Sequence, residues 1–148
     1  MKNQLFDLTK KVSLITGGNG GIGLGMAKGL ASCGSDVAII GRNIEKNLKA
    51  KEELMQFDVK VETYSIDVSD EKDVKETILN IVNDFGRIDT VFANAGMNLF
   101  GGSFEDMDTD VYRKVLAVNL DGVFFTLRET CRHMVERAKN GDPGGSVV

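Results

Sequence analysis

Residues 15–25, ITGGNGGIGLG, place six glycines among eleven residues, with no charged side chain. The chemistry such a stretch suits is phosphate binding. A pyrophosphate needs backbone N–H groups aimed at it and a main chain that comes close, which a Cβ would obstruct. A helix opening directly after the glycines adds the partial positive charge of its N-terminus. In that role one glycine makes the tight turn, one lets the phosphates approach, and one lets the helix pack on its sheet. Two registers compete. Gly18-x-Gly20-x-x-Gly23 is a formal G-x-G-x-x-G match, and Thr16-Gly17-x-x-x-Gly21-x-Gly23 is a wider-spaced one. A bare G-x-G-x-x-G is weak, and a flexible turn with no ligand is the plain alternative. Position speaks for a ligand, because the glycines follow a buried strand and open a helix. No Gly-Lys-Ser/Thr follows, which excludes a P-loop nucleotidase.

Three more patches belong to the same logic. Gly41-Arg42, Asp67-Val68 and Asn94-Ala95-Gly96 each stand at the carboxyl end of an expected strand, where ligands bind in open parallel sheets. Singly, each is an ordinary loop. Arg42 bears on the choice of dinucleotide. An NAD site calls for a carboxylate about 20 residues after the turn to hold the ribose 2′-hydroxyl, whereas an NADP site calls for a cation toward the 2′-phosphate. Here Gly41 stands where the acid would be and Arg42 follows, so a guanidinium–phosphate contact is expected. The bland alternative has Arg42 stacked on the adenine or facing solvent.

The elements that must carry these residues are legible in the hydrophobic pattern. KVSLIT (11–16), DVAIIG (36–41), VKVETYSI (59–66) and IDTVFAN (88–94) read as buried strands. Between them lie helical patterns. In the first, Ile22, Met26 and Leu30 recur at helical spacing and Gly34 closes the segment; residues 43–56 form the second. In the third, Ser69 and Asp70 open a stripe of Val74, Ile78, Ile81, Val82 and Phe85 that Gly86 closes. Residues 108–139 form one long helical pattern that Asn119, Asp121 and Gly122 interrupt, and GDPGGSVV (141–148) is a turn leading into a fifth strand. Strands alternating with amphipathic helices imply an α/β fold, a Rossmann-like doubly wound parallel sheet. No internal repeat or linker is evident, so residues 1–148 read as a single dinucleotide-binding domain.

Composition narrows the classes. Of 148 residues, 42% are apolar and 27% charged, with a net charge of −4. That balance opposes a nucleic-acid surface, which needs clustered Lys and Arg. Cys33 and Cys131 lack any metal or disulfide spacing and read as small packing residues, so no metal is expected. The first residues lack an uninterrupted apolar run, and no stretch approaches the roughly 20 residues of a membrane span, so a cytoplasmic location is expected. His133, the single histidine, reads as a surface or last-turn residue of its helix.

Taken together, the motifs resemble those of the classical short-chain dehydrogenase/reductases. TGGNGGIG (16–23) is similar to that family's T-G-x-x-x-G-x-G turn, IDTVFANAG (88–96) to its N-A-G strand end, and Asn119 in VLAVNLDGVFF to the asparagine that interrupts its long fourth helix. The resemblance implies that Gly17, Gly21, Ile22 and Gly23 shape the pyrophosphate site, with Thr16, Asn19 and Gly20 completing the turn. It implies that Asp67 and Val68 meet the adenine and that Asn94, Ala95 and Gly96 line the cofactor. Asn119 would be the active-site asparagine, its kinked helix exposing a carbonyl to a water of the proton relay. One departure is that many NADP-preferring members carry a basic residue where this chain has Gly20. NADP is still the expected cofactor, with NAD as the alternative, and the substrate a small alcohol or ketone. The stretches FDLTKKVSLITGG and GIGLGMAKGLASCGSDVAII are most similar to members acting on sugar acids and polyols. A homo-oligomer, dimer or tetramer, is expected of a full-length member.

The family's chemistry also needs a Ser and a Tyr–Lys pair in Y-x-x-x-K spacing. Tyr64 is followed four positions on by Val68 and Tyr112 by Leu116; Ser146 sits at the start of the fifth strand, whereas the family's serine follows that strand. The resemblance therefore implies a fold truncated at the start of the fifth strand, C-terminally incomplete and inactive by itself, with the edge of the fourth strand largely unpaired. The loop 97–103 would begin one wall of the substrate pocket. The rival reading is a non-catalytic dinucleotide-binding module, or a half-domain completed by a partner.

Overall fold

Runs of β-branched and apolar residues bounded by glycine form the centre of the molecule. In the computed structural model, which describes residues 6–98 and 103–148, they make a five-stranded sheet. The strands are β1 (Val12–Thr16), β2 (Asp36–Ile40), β3 (Val61–Tyr64), β4 (Thr90–Phe92) and β5 (Ser146–Val147). Their order is β3-β2-β1-β4-β5, and every pairing is parallel. The chain thus winds outward from β1 in both directions. The order reverses beside β1, which opens a crevice at the carboxyl ends of β1 and β4.

Alternation along the strands feeds two cores. Leu14, Ala38, Ile40 and Val91 face one layer, with Val74, Ile78 and Ile81 of α3 (Glu71–Phe85) and Met134 of α5 (Gly122–Lys139). Ile15, Val37 and Ile39 face the other, with Ala27 and Ala31 of α1 (Gly21–Ser32) and Ala50 and Leu54 of α2 (Ile44–Met55). Each fully buried Leu or Ile contributes about 1.5–3 kcal/mol. Asn43 caps α2 and Asp70 caps α3 by accepting backbone N–H groups three residues on, and Gly86 ends α3 in a left-handed conformation.

Four details differ from the pattern read above. The buried face of α1 is Gly23, Ala27 and Ala31, one position past the expected stripe, and Ile22 is 75% exposed. Small residues win because this helix lies close against the sheet, where larger ones do not fit. β3 and β4 are shorter at both ends than expected, since only the ladder-paired residues qualify. The long fourth helix is α4 (Thr109–Leu116), a π-helical turn (Ala117–Asp121) and α5. Finally, the edge of β4 is paired: Thr90 and Val91 match Ser146 and Val147, and Ala93 N–H donates to Val148 O at 2.8 Å.

The amino ends of β1, β4 and β5 are tied by charge. Asp89, 8% exposed, accepts from Val12 N–H at 3.0 Å and from Arg87 at 2.6 and 2.8 Å, with Lys11 and Arg137 at 3.5 and 3.4 Å. Burial would raise the Asp89 carboxyl, but Arg87, the Val12 N–H and Lys11 outweigh it and hold it below the usual carboxylate range. His133 sits beside this network, half-buried. Its Nε2 accepts from Ile88 N–H at 3.1 Å, and burial together with Arg137 holds its pKa below the ordinary imidazole value.

Candidate functional site

The glycine turn resolves into positions that need glycine for different reasons. Gly17 (φ +66°) and Gly21 (φ +50°) lie in the left-handed region that side chains disfavour. Gly23 is needed for space: a Cβ there would fall on the Gly17 carbonyl and 2.6 Å from Asn94 Nδ2. At Gly20 a Cβ would meet nothing within 4 Å. The wider register, Thr16-Gly17-x-x-x-Gly21-x-Gly23, is therefore the structural one. Gly20 caps α1 with no side-chain hydrogen bond, and the first turn carries no acid. The leading N–H groups of α1 thus meet no competing side chain, and they suit an anion.

The N-A-G segment is fastened to this turn. Asn94 Nδ2 donates to Thr16 O at 3.1 Å, and Ala95 N–H donates to Thr16 Oγ1 at 2.9 Å. Gly17 N–H donates to Ile40 O at 2.7 Å, which ties the turn to β2 as well. Thr16 itself is 2% exposed, and its hydroxyl is engaged within the protein.

An open cleft of about 300 Å³ lies across the carboxyl ends of β1 to β4. Of the residues expected at the site, Gly17, Asn19, Arg42, Asp67, Val68, Ala95 and Gly96 line it. Thr16, Gly23 and Asn94 stand behind it as supports, and Gly20, Gly21 and Ile22 are outside its lining, at the start of α1. Arg42 Nη1 lies 3.5 Å from Asp67 Oδ2, with both side chains well exposed. Burial alone would raise the Asp67 carboxyl. The Ser69 N–H and hydroxyl at 3.0 and 2.7 Å, with Arg42, more than offset that and hold it below the usual range.

The sequence reading missed Asn43, Lys46 and Asn47. Asn43, next to Arg42, and Lys46, one turn along, also line the cleft. Asn47 is 1% exposed, a buried amide on α2. Its signal in the sequence was an asparagine at the apolar spacing of Ala50 and Leu54.

Asn119 lies in the π-helical turn, away from the cleft lining that its neighbour Val118 joins. Its side chain is committed: Oδ1 accepts from Met97 N–H at 2.8 Å and Nδ2 donates to Met97 O at 3.0 Å. The amide thus holds the start of the loop after β4 against the widened helix turn. Residues 99–102 of that loop, part of the expected substrate wall, lie outside the described residues. Gly122, at the start of α5, passes close to Val68: a Cβ would come 2.7 Å from Val68 Cγ2. Among the described residues no group of three or more His, Cys, Asp or Glu could hold a metal ion, and no helix is long and apolar enough to cross a membrane.

Residues 11–148 match the family model described as short chain dehydrogenase. The sorbose reductase of Schizosaccharomyces pombe is 37% identical over 138 residues, 91% of this chain and 54% of that protein. An NADP-dependent (R)-specific alcohol dehydrogenase of Lentilactobacillus kefiri is 37% identical over 141 residues, 95% of this chain and 54% of its own. Among solved structures, an NAD+-bound xylitol dehydrogenase superimposes with a TM-score of 0.88 at 33% identity, covering 95% of this chain and 52% of that one. The chain spans about half the length of the curated relatives it matches.

Proposed function

This chain belongs to the short chain dehydrogenase family, and from that premise we propose that it binds NADP, with NAD as the alternative, and serves hydride exchange with a hydroxyl or ketone substrate. The observation that carries the proposal is the polarity of the cleft. The start of α1, with no side-chain cap and no acid in its first turn, lies just outside the lining beyond Gly17 and Asn19; Arg42 and Lys46 line the cleft itself, with Gly41 where an acid would stand.

The residues fit a dinucleotide. The close packing of Gly17 and Asn94 on Gly23, and the left-handed Gly17 and Gly21, shape the turn so that main chain and the N–H groups of Gly21 and Ile22 would meet a pyrophosphate. Asn19 and Gly20 complete that turn. Arg42 supplies a planar cation for a 2′-phosphate and Lys46 a second charge. Asp67, kept ionised, accepts from the adenine amino group, while the Val68 main chain borders the ring. Asn94, Ala95 and Gly96 flank the nicotinamide side. The bound dinucleotide supplies the hydride chemistry. Asn119 is a positioning residue: with its amide spent on Met97, its main-chain carbonyl is what it offers a water in a proton relay.

The names of the relatives support a polyol or ketose as substrate class. A dimer or tetramer is part of the proposal, supported by Leu120, Phe124 and Val135, exposed apolar residues along the last helices. Titration with NADPH and NADH, followed by absorbance assays with sorbose, xylitol and simple secondary alcohols, tests the proposal. NADPH binding supports the cleft, turnover in addition supports the oxidoreductase, and binding of neither cofactor refutes the cleft.

A further inference from the structure

Gly41 lacks a side chain for a reason that its backbone does not supply. Its φ is outside the left-handed region, so any residue could adopt its conformation. Space forbids one. A Cβ at 41 would fall on the Asn19 amide nitrogen, 2.8 Å from Asn19 Cγ and 2.6 Å from Asn47 Oδ1. The obstruction is not the loose tip of a surface side chain. Asn19 Nδ2 donates to Asn47 Oδ1 at 2.6 Å, and Asn47 is itself fixed. Asn47 Nδ2 donates to Gly41 O at 2.9 Å and to Ser65 Oγ at 3.0 Å, from a side chain that is 1% exposed.

Resting on the reading of the cleft as an NADP site, we infer that Asn47 is a specificity-positioning residue, which clamps Asn19 across Gly41 and so decides which ribose the cleft accepts. The chemistry follows from what occupies that space. A carboxylate at 41 would take the 2′- and 3′-hydroxyls of an unphosphorylated ribose and repel a 2′-phosphate. The clamped amide is neutral, repels nothing, and bars the carboxylate by volume. Cofactor preference is then set jointly by the Arg42 and Lys46 cations and by a buried asparagine that touches no cofactor. An acid introduced at 41 has no room until the clamp is removed.

The test is a cofactor-binding cycle read by fluorescence titration of NADPH and NADH, with the melting temperature of each protein measured alongside. The proteins are the wild type, Gly41→Asp, Asn19→Ala, Asn47→Ala, and Gly41→Asp combined with each of the last two. Gly41→Asp alone is expected to weaken both cofactors, with the NADPH:NADH affinity ratio moving less than about threefold. In the Asn19→Ala or Asn47→Ala background the same substitution is expected to shift the ratio toward NADH about tenfold or more, since the partners share one network. A purely structural Asn47 would change melting temperature and leave the ratio alone. Asn19→Ala keeps the test decisive if Asn47→Ala does not fold. If Gly41→Asp shifts the ratio equally in every background, the clamp is overturned while a wild-type preference for NADPH keeps the cleft reading. If the wild type prefers NADH, the cleft reading falls, and the inference with it.

Discussion

Replacing Arg42 with serine isolates the charge that the cleft presents to a 2′-phosphate. Among the described residues the guanidinium pairs with Asp67 at 3.5 Å, with side chains 60% and 39% exposed. An exposed pair of that kind is worth about 0–1 kcal/mol, so turning Arg42 toward a phosphate costs no more than that. A hydrogen bond between charged groups contributes about 1.5–3 kcal/mol. The net loss in Arg42→Ser is then about 0.5–3 kcal/mol, with a midpoint that corresponds to about 20-fold in the Kd for NADPH. NADH, with no 2′-phosphate, should change less than about threefold. Calorimetric titration of both cofactors with both proteins reads this directly. Because the site is open to solvent, the NADPH effect should shrink at high salt. Equal losses for NADPH and NADH, or an NADPH effect that is insensitive to salt, would refute the reasoning and leave Arg42 as a solvent-facing or adenine-stacking residue.

Other substitutions probe the scaffold. Gly23→Ala drives a Cβ into the Gly17 carbonyl; overpacking of about 1–3 kcal/mol should lower Tm by about 3–10 °C and weaken both cofactors in titration. Gly25→Ala in the same helix meets nothing within 4 Å and should raise Tm slightly, by the roughly 0.5–1 kcal/mol that alanine gains over glycine in a helix. Asp89→Ala orphans the Val12 N–H and leaves Arg137, 11% exposed, short of a partner. Such losses run to about 3–5 kcal/mol, so calorimetry should show Tm down by about 10–15 °C, whereas Asp89→Asn, which keeps an acceptor, should lose less. For His133, burial and Arg137 lower the folded-state pKa. The unfolded chain therefore takes up a proton near about pH 6.5 that the folded chain takes up only lower. Stability from this group is complete above that pH and falls as pH drops through the window beneath it. Melting curves from about pH 7.5 to about pH 5 should show that slope, and His133→Gln should flatten it.

How much of this was legible beforehand depends on how local the cause is. Alternating β-branched runs and glycine stops announced the strands, because a parallel sheet covered on both faces needs them apolar throughout. Asp70 and Gly86 marked the ends of α3, because caps act within a turn of where they stand. The pocket-lining patches were found because crossover topology sends the carboxyl ends of all the strands to one side. The buried stripe of α1 was misplaced by one residue because hydrophobicity favours Ile22, Met26 and Leu30, while the gap between helix and sheet favours Gly23, Ala27 and Ala31.

By itself, then, the sequence determined the alternating α/β plan, the family, and the place of the glycine turn between the first strand and the first helix, since these rest on periodicity and on spacing within a few residues. Tertiary structure alone decided which glycine register is real, because that depends on φ at Gly17 and Gly21 and on the nearness of Asn94 to Gly23. It alone showed that His133 accepts a hydrogen bond from a backbone 45 residues away. And it alone placed Asn19, Gly41 and Asn47 within one hydrogen-bonded contact, at the ends of a turn, a strand and a helix. Contacts between distant residues follow from how the layers close, and no pattern along the chain encodes that distance.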